Sequence, residues 1–135
     1  MEYECMESGM ILSFYELFFL LQSAGINTIN GFFMDVAQIS EEETIQLAAS
    51  LERKGILSAK DTAFEMEKSV EKMIRCMGWP DKDFLAEKEY EMFYCYEREE
   101  MVLVTRLYPA RKNALELILY TKEQFRKEFE KQEDE

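Results

Sequence analysis

Histidine is missing altogether from the 135 residues. Its absence removes the commonest general base and metal ligand, and every Ser-His or Cys-His dyad. Glycine is scarce, five in all, and none stands in a P-loop, a G-x-G-x-x-G fingerprint or a G-x-S-x-G elbow. The three cysteines, Cys5, Cys76 and Cys95, are odd in number and far apart, with no CxxC pair. They read as reduced thiols of a cytosolic protein, two of them core filler, not as a disulfide framework or a zinc site. Positive charge is absent before Arg53, whereas Glu2, Glu4, Glu7, Glu16, Asp35, Glu41, Glu42, Glu43 and Glu52 all precede it. With a net charge of -12, such a surface repels phosphate backbones and anionic headgroups, so neither nucleic acid nor membrane is expected as a partner. No long hydrophobic run exists either: residues 10–21 are too few to span a bilayer and include Glu16. The opening MEYECMES is acidic where a secretory leader needs a basic region, and a cytoplasmic location is expected.

What is present suits one globular domain, with 47% hydrophobic and 33% charged residues. The most apolar stretch is MILSFYELFFLLQSAG, residues 10–25. Phe14, Leu17, Phe18 and Leu21 recur at helical spacing, Ser13 with Glu16 forms a capping box, and Gly25 supplies a stop. Leu12 and Leu17 are placed for the hydrophobic staple. Phe32, Phe33, Met34 and Val36 predict a brief second helix. Ser40 with Glu43 caps a third, which runs to about Lys54, buries Ile45, Ala48 and Leu51, and ends at Gly55 with Ile56 folding back on Leu51. Ser58 with Asp61 predicts a fourth helix of about 19 residues, striped by Ala63, Met66, Val70, Met73, Ile74 and Met77, and stopped by Gly78-Trp79-Pro80-Asp81.

Beyond that punctuation the period changes to two. Alternation from Tyr90 to Tyr96, Met101 to Tyr108 and Leu115 to Tyr120 predicts three strands in an antiparallel meander. Thr121 with Gln124 caps a last helix with Phe125 and Phe129 facing inward, fraying after Lys131. The expected fold is therefore a single α+β domain. It comprises an N-terminal segment (1–9), a winged-helix-like helical half with a long connecting helix (10–78), and a three-stranded β-meander plus C-terminal helix (84–132).

Candidate chemistry is sparse. Glu41-Glu42-Glu43 and Glu97-Glu99-Glu100 are dense in carboxylates but lack the calcium-loop pattern and read as solvated surface. No metal, cofactor or catalytic residue is expected, and a small enzyme using carboxylates ranks third among readings. The order of a short strand at Met10-Ile11-Leu12, three helices and a returning strand at Gly55-Ile56-Leu57 is that of a winged helix-turn-helix. Its third helix, beginning SEEETIQLAAS, lacks the side chains that read DNA. A degenerate acidic winged-helix regulator is the alternative reading. Tyr90, Met92, Tyr94 and Tyr96 share one predicted strand face. That face packs on the last helix or binds a protein, the acidic rim of Glu89, Glu91, Glu97, Glu99 and Glu100 then favouring a basic or amphipathic partner.

The run YELFFLLQSAGI, the capped helix ending LERKGILS, the helix closing at MGWPD and the strand pair in EYEMFYCYEREEMVLVTRLY together resemble one half of an EspG-type protein. These are accessory proteins and cytosolic chaperones of type VII (ESX) secretion, which hold helical-hairpin substrates soluble before export. The resemblance covers about residues 10 to 130 as an order of elements, and transfers no individual residue's role. It implies a non-enzymatic protein-binding function with a helical secretion substrate as partner. A homodimer would supply the missing second half.

Overall fold

The computed structural model describes residues 9–26, 29–31, 40–60 and 63–129. The predicted helix at Phe32 to Val36, the segment carrying Cys5 and the fraying end after Lys131 lie outside them.

The chain is α+β, with four helices, a five-stranded antiparallel sheet and a two-stranded hairpin among the described residues. Strand β1 (Met10–Ser13) leads into helix α1 (Phe14–Ser23), and α2 spans Glu41–Arg53. The hairpin β2 (Leu57–Lys60) and β3 (Ala63–Met66) follows, then α3 (Lys68–Gly78). The meander β4 (Lys82–Lys88), β5 (Glu91–Arg98), β6 (Met101–Leu107) and β7 (Ala114–Thr121) ends in α4 (Lys122–Phe129). The sheet order is β1-β7-β6-β5-β4.

Local capping explains where the helices begin and end. Ser13 and Glu16 exchange both capping-box bonds, at 2.9 and 3.0 Å, and Ser40 with Glu43 does the same. Gly25 and Gly55 both sit at positive φ. Behind them Ile26 N donates to Leu21 O and Ile56 N to Leu51 O, the Schellman closure in each case. The second carboxylate oxygen of Glu16 accepts from Lys54 Nζ at 2.5 Å, tying the start of α1 to the end of α2.

Each sheet face is covered over part of its area. On one, Leu12, Tyr96, Leu103, Leu115 and Leu117 pack under α1 and α3, where Leu17, Leu20, Val70, Ile74 and Met77 are buried. On the other, Cys95, Val102, Val104 and Tyr120 pack under Phe125 and Phe129 of α4.

Four expectations need correction. The meander has four strands rather than three, and β1 extends the sheet to five by pairing with β7, Met10 opposite Leu117. The long connecting helix is instead a hairpin followed by an 11-residue helix. Leu57 pairs with Met66, Glu67 N donates to Ile56 O at 2.8 Å, and the Glu67 carboxylate then caps α3 through Ser69 N and Val70 N. The returning strand begins at Leu57, because Gly55 and Ile56 are spent on closing α2. Finally, Ile45 is 64% exposed and adds nothing to the core.

Candidate functional site

Four residues were singled out by period on the tyrosine strand, and the structure divides them. Tyr94 and Tyr96 face the layer of α1 and α3, while the last helix takes the opposite face through Phe93 and Cys95. The expected packing of the tyrosine face on α4 is therefore corrected. Tyr96 is wholly buried; its hydroxyl donates to the Asn30 carbonyl, and burial pushes its pKa up. It is part of the core. Tyr94 is half-buried, with its ring tilted against Tyr96 at 5.2 Å and its hydroxyl donating to Asp83. That hydrogen bond, with some burial and the Asp83 charge, holds the phenol above its usual pKa. A side chain at Gly31 (φ +98) would come within 2.7 Å of the Tyr94 ring, so only glycine fits there.

Met92 lies further out on the same face and is 52% exposed. Leu85 of β4 and Leu107 of β6, which periodicity did not single out, share that face and are 61% and 59% exposed. These three are exposed apolar side chains of one sheet face, with Asp83 and Glu87 interspersed on β4. Across the sheet, Arg106 is clamped by Glu116 at 2.7 Å and Glu91 at 2.5 Å, which fixes the outer ends of β5, β6 and β7.

Tyr90 is not on the strand. It and Glu89 form the two-residue turn between β4 and β5, both at positive φ (68° and 55°), and its side chain is fully exposed. Such a turn favours Asn-Gly, and a left-handed non-glycine residue costs roughly 1–2 kcal/mol. A Glu89→Asn, Tyr90→Gly double variant is expected to gain about 1–2 kcal/mol in urea unfolding. No gain would mean that the turn's side chains already recover that strain.

The chemistry of the rest is quiet. Burial pushes the Cys76 thiol from 9.0 up to about 11 and Cys95 up to about 12, so neither is a nucleophile near neutral pH. Because the folded values are raised, the thiols favour folding below about pH 9 and lose that contribution as pH climbs toward 11 and 12. The urea midpoint is accordingly expected to fall between about pH 8.5 and 10.5. A Cys76→Ser, Cys95→Ser variant should show a shallower fall. Among the described residues no cluster of three or more metal-ligating side chains occurs. Glu43 is spent as a cap, and Glu97 binds Lys122 at 3.1 Å. A cleft of about 570 Å³ opens between the β2–β3 hairpin and α3, with Phe64 and Trp79 at its mouth. Its charged lining includes Glu65, Lys68, and Arg75 with Glu71, the last two paired at 3.1 Å. No helix among the described residues is long and apolar enough to cross a membrane.

Comparisons with protein-family models, with curated proteins and with solved structures find no match to this chain.

Proposed function

We propose that this is a non-enzymatic, cytosolic protein-binding protein, an accessory or chaperone of type VII secretion that holds a helical substrate. The observation that carries the reading is the uncovered outer part of the sheet, where Leu85, Met92 and Leu107 stand more than half exposed beside acids. An amphipathic helix with basic flanks complements that surface in shape and charge. The element order resembling an EspG-type half points the same way, and buried, unreactive thiols leave little for catalysis to use.

The test is affinity purification from the native host. A small helical exported protein should co-purify, and Met92→Asp with Leu107→Asp should release it without changing the unfolding free energy by more than about 0.5 kcal/mol. Recovery of nothing helical and exported would end this reading.

One observation favours a second reading, an acidic winged-helix regulator. The β2–β3 hairpin follows α2 directly, where a wing stands in that fold, with β1 and α1 ahead of it. Glu41, Glu42 and Glu43 open α2, so action would rest on mimicry of nucleic-acid charge more than on contact with it. Duplex DNA that bound at about 50 mM salt and dissociated steeply as salt rose would favour direct contact.

A further inference from the structure

We propose that strand β4 is a docking edge for an extended segment of a partner protein, carrying basic-apolar-basic residues on one face and acids on the other. The inference rests on the protein-binding reading above and adds to it a location, a mode and a charge pattern.

Among the described residues β4 ends the sheet, pairing only with β5. Its turn at Glu89 and Tyr90 is closed by Lys88 and Glu91. The alternation of an antiparallel ladder then turns the N–H and C=O groups of Asp83, Leu85 and Glu87 outward. These are the groups to which an added strand bonds.

The two faces of β4 are sorted by sign. Asp83, Leu85 and Glu87 share the face of Tyr94 and Met92, opposite Tyr96, Tyr94 and Met92 in the register. Lys82, Phe84, Ala86 and Lys88 lie on the face of α4, where Phe84 meets Phe125 and Lys88 binds Glu128 at 2.7 Å. A second copy pairing antiparallel about a two-fold axis must oppose residues of the same face. Centred on Leu85, it sets Asp83 against Glu87 and Lys82 against Lys88. Sliding by two residues brings no opposite charges together, because neither face of the strand contains both signs. Like charges directly opposite are destabilising, so self-pairing is disfavoured in every such register.

A strand with the reversed pattern gains where a second copy loses. The acidic face supplies most of the selectivity: Glu87 has no ion-pair partner among the described residues, whereas Lys82 already has Glu97 at 3.8 Å and Lys88 has Glu128. Charge on an edge also guards against aggregation. A purely protective edge would not leave Leu85 61% exposed at its centre, between two acids on an apolar-fringed face.

The probes are two synthetic heptapeptides of identical composition, Glu-Lys-Thr-Val-Thr-Lys-Glu and Lys-Glu-Thr-Val-Thr-Glu-Lys, each acetylated and amidated, titrated into the full chain. The first opposes every charge of β4 with its complement in either strand direction, and the second repeats the pattern of β4 itself. The first is expected to bind about tenfold more tightly, to perturb resonances of β4, and to slow amide exchange at Asp83, Leu85 and Glu87. Glu87→Lys should remove most of that preference. Leu85→Pro, which deletes one outward N–H, should abolish binding. If the proline variant fails to fold, the exposed Glu87 site decides alone. Equal binding of the two peptides, protection confined to another strand, or a dimer in sedimentation that Leu85→Pro dissociates would each overturn the proposal. Peptide discrimination at β4 without any helical exported partner would support the docking edge and remove the secretion reading. A helical partner released by Met92→Asp, with no peptide discrimination, would remove the docking edge and leave the secretion reading standing.

Discussion

Phe125→Ala is expected to destabilise the protein by about 3–5 kcal/mol and to expose Cys95 to thiol reagents. Helix α4 has eight residues, too few to be stable without its packing. Two aromatic anchors hold it down. Phe125 meets Phe84 edge-on at 5.8 Å and stacks on Phe129 at 4.5 Å, and Phe129 in turn meets Phe93 and Tyr120 edge-on. Beneath them lie Cys95, Val102 and Val104, all at or below 1% exposure. Removing one ring takes away its buried area and loosens the stack that positions the other. The thiol makes the loosening measurable. In a Cys5→Ser background, Cys95 should label much faster at about pH 8 while Cys76, buried in α3 on the other side of the sheet, keeps its rate. If both thiols accelerate together, the two core layers unfold as one unit and α4 is no separate flap.

Leu17→Ala should cost about 3–4 kcal/mol, against less than about 0.5 for Ile45→Ala. The contrast is informative because both are apolar residues that lie within two positions after a capping box. Leu17 is 0% exposed, surrounded by the cluster that includes Leu12, Leu51 and Ile74. Ile45 is 64% exposed and makes no part of either core. In a domain whose total stability is about 5–15 kcal/mol, the first change is severe and the second barely visible. Thermal unfolding of the two variants decides the matter, and comparable losses would contradict the exposure of Ile45.

The difference between those residues marks how far the fold was legible from residue order. Features written within a few residues were legible. Three capping boxes, at Ser13, Ser40 and Thr121, form as the spacing requires, the last through Thr121 N to Gln124 Oε1 at 2.9 Å. The stops at Gly25 and Gly55 and the inward turn of Phe125 and Phe129 belong with them. Features that depend on a distant partner were not. Ala63 and Met66 fit a helical stripe running into Val70, yet pairing of Leu57 with Met66 makes them strand. β4 was hidden because Lys82 and Lys88 interrupt its apolar positions and its turn, Glu89-Tyr90, carries no glycine or asparagine. The tyrosine strand is intermediate. Period two correctly placed Met92, Tyr94 and Tyr96 together, but which layer covers a face is decided by chain elsewhere. So Met92 and Tyr94 lie on one face with Leu85 and Leu107, Tyr96 is buried on it, and Tyr90 stands in the turn.

The pairing of β1 with β7 also governs the order in which the molecule can assemble. Met10 meets Leu117 and Ser13 meets Ala114, so the pairing joins two segments that lie far apart in the chain. Closing so long a loop is entropically slow, and contacts this distant in sequence lower folding rates. Helix α1 nucleates early from its own caps, yet Leu17, Leu20 and Leu21 have no sheet beneath them until the meander is complete. The apolar face of α1 is therefore covered only when segments distant in sequence have come together.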